Sequence, residues 1–220
     1  MNVHPALVTG FVPYGGRRSN PAAEIAAALD GTTIAGVPVV GRPLPVSLAE
    51  IGDRIAGLLE DLQPRVVVSV GLSPGEAVIR IERVGLNLAD FGTADNAGQV
   101  ALDEPLLGNG AAARWATLPI RKIETALLEA GIPARISNSA GTFLCNACLY
   151  TFLSLADEAR EPIACGFIHV PYMPEQVAEM LGVVKRHGRQ ASGSDVASMA
   201  LATSTQAVAI AVETALRETR

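Results

Sequence analysis

The chain has 220 residues, 49% hydrophobic, 18% charged and 4% aromatic, with a formal net charge of −5. Such a composition belongs to one folded domain, 1–220, large enough to be held by its core without disulfides or a structural metal. It argues against a membrane protein, because no run approaches the roughly 18 apolar residues of a span, and against a nucleic-acid binder, because Lys and Arg gather no further than a pair such as Lys185-Arg186.

Met1 leads directly into an apolar segment without a basic leader or cleavage pattern, so secretion is not expected. Short β-rich runs bounded by Gly, Pro or Asn are predicted as buried strands at Ala6 to Thr9, Arg65 to Val70, Ala134 to Ser137 and Ala164 to Val170. Helices are predicted between them. The first follows Asn20-Pro21, with Asn as cap and Pro at the first helical position. The second carries Leu48, Ile51, Ile55, Leu58, Leu59 and Leu62 on one face and opens with Ser47-Leu48-Ala49-Glu50, the spacing of a capping box. The segment Ala77 to Asp90 behaves differently: Ile79 and Ile81 share one parity, Val84, Leu86 and Leu88 the other, so a bulge or a break is expected at Glu82-Arg83. A further helix starts near Pro119, buries Ile120, Ile123 and Leu127, and stops at Gly131 and Pro133. Leu149, Phe152, Leu153 and Leu155 suggest a helix beginning close to Cys145. The last is expected from about Asp195, after Ser194, with Val196, Met199, Ala200, Ala207 and Ile210 in register. Alternation of strand and helix favours a three-layer α/β fold with helices on both faces of a largely parallel sheet.

Four irregular stretches fall where predicted strands end: Gly10 to Gly16, Gly71 to Gly75, Asn138 to Phe143, and His169 to Tyr172. Ligands of open α/β sheets bind at such ends, so these loops are the candidate walls of a site. Cys145 lies just past one of them. A helix N-terminus stabilises a thiolate and an oxyanion, which suits a nucleophile there, although a small buried hydrophobe is the ordinary use of cysteine. Cys165, inside an apolar run, reads as such a hydrophobe. His169 at a strand end is either structural or the base that takes a thiol proton. Glu82 stands out only by its place at the parity slip, while His4 and His187 read as surface residues. Cys145-Asn146-Ala147-Cys148 is also a C-x-x-C at a predicted helix start, so a dithiol redox role is weighed beside hydrolysis. Zinc is set aside, because two further ligands with suitable spacing are absent. Three cysteines, few and odd in number, point to a reducing, cytoplasmic setting.

Taken together, these loops resemble the pyroglutamyl peptidase I family of cysteine exopeptidases. The resemblance rests on four blocks in family order: Val8-Thr9-Gly10-Phe11 through Gly15-Gly16 with Asn20-Pro21; Glu82-Arg83-Val84 with Asn87 and Asp95-Asn96; Thr117 to Ile120 through Ser137 to Asn146; and Gly166 to Tyr172. It implies a phosphorylase/hydrolase-like α/β/α sandwich with a mostly parallel, mixed and twisted sheet. It implies Cys145 as nucleophile, His169 as general base and acid, and Glu82 as the carboxylate orienting the imidazole. Substrate contacts are implied at Phe11, Tyr14, Leu72, Thr93, Phe143 and Leu144, with aromatic rings gripping the lactam. The implied substrates are peptides with an N-terminal pyroglutamate, no metal or organic cofactor is needed, and a homo-oligomer, dimer or tetramer, is expected.

The chain departs from the family pattern in two loops. Gly71-Leu72-Ser73-Pro74-Gly75-Glu76 stands where the family has Gly-Gln-Ala-Gly-Gly-Arg, and Phe91-Gly92-Thr93-Ala94-Asp95-Asn96 where it has Ala-Arg-Ile-Pro-Asp-Asn. Two positive charges and one amide are thereby missing from the expected pocket.

Overall fold

Two largely apolar runs, Val66–Leu72 and Ala164–Val170, interrupted by Ser69 and His169, lie side by side near the middle of a seven-stranded sheet, and every residue of both is buried. A strand covered on both faces carries apolar side chains on both. The computed structural model describes residues 4–186 and 196–219. Its elements are β1 (Ala6–Phe11), α1 (Pro21–Leu29), β2 (Thr33–Ile34), β3 (Val37–Leu44), α2 (Leu48–Leu62), β4 (Val66–Leu72), β5 (Ile79–Glu82), β6 (Val84–Leu86), β7 (Ala89–Phe91), β8 (Ala101–Glu104), β9 (Ala113–Trp115), α3 (Ile120–Glu129), β10 (Ala134–Ser137), α4 (Leu144–Asp157), β11 (Ala164–Val170), α5 (Pro174–Arg186) and α6 (Leu201–Glu218).

The sheet order is β10-β5-β11-β4-β1-β3-β2. The block β11-β4-β1-β3 is parallel, whereas β5 and β10 run parallel to each other and antiparallel to β11. One face packs Val8, Val68, Ile81 and Ile168 against α1, α3 and α6; the other packs Leu7, Val67, Cys165 and Phe167 against α2 and α4. This is the expected three-layer α/β/α sandwich, with a mixed sheet. Gly10 lets α1 sit directly on the sheet, since a Cβ there would lie 1.9 Å from the Ala22 carbonyl oxygen.

Several local expectations are met and others are corrected. Asn20 caps α1 by accepting from the Ala22 N–H at 3.1 Å, with Pro21 at the first position. Ser47 takes the cap position of α2, but its hydroxyl makes no capping bond and has no partner. Asp95, remote in sequence, accepts the Leu48 N–H at 2.9 Å and so satisfies the first free donor of the helix. At Glu82-Arg83 the chain breaks rather than bulges: β5 belongs to the main sheet, whereas β6 pairs with β9 as a separate ribbon. The last helix starts at Leu201, not near Asp195, and Val196–Ala200 is not helical; Ser194, Asp195 and His187 lie outside the described residues. Met199 there gives its N–H to the Tyr172 carbonyl, a tertiary bond that competes with helix.

The strand β3 is not anticipated by the short β-rich runs, since Pro38 and Pro43 interrupt it. It tolerates both. Pro38 precedes the first β1 pairing at Val39, and Pro43 lies beyond two-residue β2, on the side of the strand left open.

Candidate active site

The register of β5 against β11 sets the site. Phe167 lies opposite Glu82 and His169 opposite Arg80, so side chains two residues apart on each strand share one face. On that face His169 Nδ1 and Glu82 Oε1 are 2.8 Å apart, with His169 5% exposed and Glu82 fully buried. The same carboxylate oxygen lies 3.2 Å from Arg80 Nη2. Glu82 is thus buried with two partners on one oxygen, while Oε2 has none.

Cys145 is in the first turn of α4 and is partly exposed. Its sulfur sits over Gly71, the residue of β4 that lies beside His169: a Cβ at position 71 would come within 2.9 Å of Sγ and 2.7 Å of the Phe167 ring. Glycine is therefore required by crowding, and the same crowding brings the α4 N-terminus down onto the His169 strand. Asn146 fixes that approach. Its Oδ1 accepts from the Leu86 N–H at 2.8 Å, and its Nδ2 donates to the Leu86 and Leu88 carbonyls, both at 2.9 Å. The ribbon β6–β9 is thereby clamped to the helix next to Cys145.

Burial pushes the Cys145 thiol far above its ordinary range, with Cys148 and Glu82 adding to the effect and the Arg80 guanidinium and the Cys145 backbone N–H opposing it. A thiol in this setting keeps its proton until a base removes it. Cys148 lies deeper, wholly buried, and its thiol is pushed up to about 12 by burial even though it bonds to Ser69. Ser69 is held in turn by the Thr9 hydroxyl at 2.8 Å. Burial raises Cys165 as well. All three cysteines are free.

Phe11, Tyr14, Leu72, Phe143, Leu144 and Cys145 line one small pit together with Asn20 and Val46. The Tyr14 and Phe143 ring centroids are 6.1 Å apart, and Phe143 rests edge-on against Phe91 at 4.7 Å. Burial raises the Tyr14 phenol, with Cys145 and Tyr172 adding to it and Arg17, stacked 5.0 Å over the ring, opposing it. Thr93, expected among the substrate contacts, is exposed in the turn after β7 and is not among the side chains lining the pit; that turn is tied towards the start of α2 by Asp95 and Asn96. Asn96 reaches the first loop, donating to the Pro13 carbonyl at 3.0 Å. The departing Glu76 is not among the pit lining either and pairs at 3.0 Å with Arg135 of β10. Sequence reasoning passes over Arg80 and Ser137, because an Arg alternating with apolar residues reads as a solvent-facing strand position. Its i, i+2 spacing to Glu82 is the signal that was available.

No group of three or more His, Cys, Asp or Glu that could hold a metal occurs among the described residues, and no helix among them is long and apolar enough to cross a membrane.

The family model for pyroglutamyl peptidase matches residues 4–218. The pyrrolidone-carboxylate peptidase of Pyrococcus furiosus is 42% identical over 96% of this chain and 98% of its own length, and that of Klebsiella pneumoniae 41% over 96% and 92%. A crystal structure of a mutant pyrrolidone carboxyl peptidase from P. furiosus superposes with a TM-score of 0.90 at 41% identity, covering 97% of this chain and 99% of that one. With the fold, the small lined pit and near-complete coverage in agreement, the chain belongs to the pyroglutamyl peptidase family, cysteine peptidases that remove N-terminal pyroglutamate.

Proposed function

We propose that Cys145, His169 and Glu82 act as nucleophile, general base and orienting carboxylate in the hydrolysis of the bond after an N-terminal pyroglutamyl residue. The observation that carries this reading is the 2.8 Å contact between His169 Nδ1 and Glu82 Oε1 on the face where Cys145 Sγ overhangs Gly71. With Glu82 accepting from Nδ1–H, the imidazole keeps Nε2 free to take the thiol proton. The sulfur then attacks the pyroglutamyl carbonyl carbon, and the carbonyl electron pair moves onto oxygen. First-turn N–H groups of α4, left without intrahelical partners, favour that negative charge. Collapse breaks the C–N bond, the imidazolium gives its proton to the leaving amine, and a thioester remains. Water, deprotonated by His169, attacks the thioester and releases pyroglutamate and the thiol.

Recognition is assigned to Phe11, Tyr14, Leu72, Phe143 and Leu144. The lactam is neutral, so shape and a few hydrogen bonds must select it. The pit has a volume of ≈ 10 Å³, room for about one water. Entry of the five-membered ring requires the Tyr14 and Phe143 rings to part.

Two further readings accompany this one. A cytoplasmic setting is supported by three unpaired cysteines. A homo-oligomer, dimer or tetramer, is supported by exposed Val100, Leu102, Leu107 and Trp115 on the ribbons beside α4, and light scattering on the purified chain checks it.

The test is hydrolysis of a pyroglutamyl fluorogenic amide and of a prolyl analogue lacking the lactam carbonyl, with reductant present, by wild type and Cys145→Ala. Pyroglutamyl-selective turnover that disappears in the variant is expected. Folded, reduced wild type that cleaves other amides but not the pyroglutamyl one would instead assign Leu72, Glu76 and Gly92 to a changed acyl preference.

A further inference from the structure

The side chain of Arg80, 19% exposed, makes four polar contacts that converge on the site. Nη2 lies 3.2 Å from Glu82 Oε1, donates to Ser137 Oγ at 2.7 Å and donates to the Ser139 carbonyl at 2.5 Å. Nη1 donates to Ser73 Oγ at 3.3 Å. Ser137 Oγ in turn bonds the Ser139 carbonyl at 3.2 Å, which closes the cluster. One planar cation therefore touches the carboxylate, the loop after β4, the end of β10 and the segment that leads into Cys145.

We propose that Arg80 is a positioning residue of this enzyme, which fixes the Glu82 carboxylate against His169 and ties it to the segment carrying Cys145. The inference rests on the triad reading above. Glu82 is wholly buried, and an unpaired carboxylate in such a place is costly enough to favour its neutral form. Neutral His169 supplies no charge. Among the described residues Arg80 is the one Arg or Lys paired with Glu82. With Arg80 present, the carboxylate accepts from Nδ1–H and leaves Nε2 as the base. Without it, the carboxylate loses the contact that fixes its orientation towards Nδ1–H, and the ring that presents Nε2 as base is held less firmly.

The cation also acts on the nucleophile through space. The charged and titratable groups around Cys145 are Arg80 and Glu82 from β5, His169 from β11, Cys148 from α4, and Tyr14 from the first loop, with Arg17 and Tyr172 against Tyr14. Arg80 favours the thiolate. Loss of the cation therefore raises the proton affinity of the thiol.

The experiment uses the full chain as wild type, Arg80→Met and Arg80→Lys, with Cys145→Ser as a labelling control. For Arg80→Met a fall of about 10- to 100-fold in kcat with KM nearly unchanged is expected, the range by which outer partners that orient a ligating histidine act. Its pH profile moves to higher pH, because the thiol loses the cation that favours its thiolate. Arg80→Lys returns the profile towards the wild-type position, since it restores the charge without the fork. Alkylation of Cys145 by iodoacetamide as a function of pH gives a readout that needs no peptide turnover, and its midpoint also moves upward in Arg80→Met. An unmoved profile and unmoved alkylation midpoint, with or without a lower melting temperature, overturn the proposal and leave Arg80 a structural brace. Failure of the triad reading shows differently, as wild-type turnover in Cys145→Ala or no pyroglutamyl turnover by wild type.

Discussion

At the carboxyl ends of β1, β4 and β11 a pit of ≈ 10 Å³ holds Cys145 between aromatic side chains, with His169, Glu82 and Arg80 beneath it. At the amino ends of β4 and β11 a groove of ≈ 1280 Å³ runs past Arg65, Arg114, Trp115, Asp157 and Ala164. The larger space has the weaker chemistry. Three of its charged groups are engaged locally: Arg114 pairs with Asp157 at 2.8 Å, and Arg65 donates to the Thr219 carbonyl at 3.0 Å. The difference teaches that reactivity follows the convergence of buried polar groups, which the sheet register enforces, rather than open volume.

The strongest way to break this comparison is at the thiol and its base. Cys145→Ala and His169→Ala are each expected to lower kcat/KM for a pyroglutamyl amide by at least ~10³-fold. In the opposite groove, Trp115→Ser is expected to leave kcat/KM within about twofold, since a 70% exposed side chain far from the pit loses little. Equal losses at the two ends would erase the distinction.

Glu82→Gln comes next, with a fall of about 10²- to 10⁴-fold in kcat, because an amide offers the imidazole no negative charge and can donate to Nδ1. A pH–rate profile separates this from lost binding.

Gly71→Ala sharpens the geometry. The added Cβ meets both Cys145 Sγ and Phe167, so a stability loss of about 1–3 kcal/mol by chemical denaturation is expected, with activity falling alongside it.

The smallest effect lies outside the site. Burial raises the Asp95 carboxyl, but backbone N–H donors from Leu48, Gln99, Ala97 and Gly98 outweigh it and hold it below the usual carboxylate range. A depressed pKa gives stability that is present above the unfolded value near pH 4 and is lost as pH falls through the folded one. Asp95→Ala is expected to cost about 1–3 kcal/mol at neutral pH, with the gap to wild type narrowing in acid. Denaturant melts at pH 7 and pH 3 check the sign.

Much of this molecule was legible before any fold. The strands Ala134–Ser137 and Ala164–Val170 are predicted to the residue, because continuous β-rich runs with sharp breaks have one reading. The resemblance pointed to Cys145, His169 and Glu82, which the fold brings to one end of the sheet, and to five of the side chains that line the pit. Arg80 was not legible, since its partners Ser73, Ser137 and Ser139 are separated from it by 7, 57 and 59 positions. Likewise, Ser47-x-x-Glu50 advertises a cap that Asp95 supplies from 47 residues away.

By itself, the sequence determined the alternation of strand and helix, the two buried central strands and the chemical identity of the reactive side chains. These depend on short-range periodicity and on residue type. Tertiary structure alone decided that β5 and β10 run against the rest of the sheet, that Glu82 shares a face with His169 and Arg80, and that Thr93 is not among the side chains lining the pit. Register and strand direction are set by which faces the whole sheet can bury at once, a condition that no local segment contains.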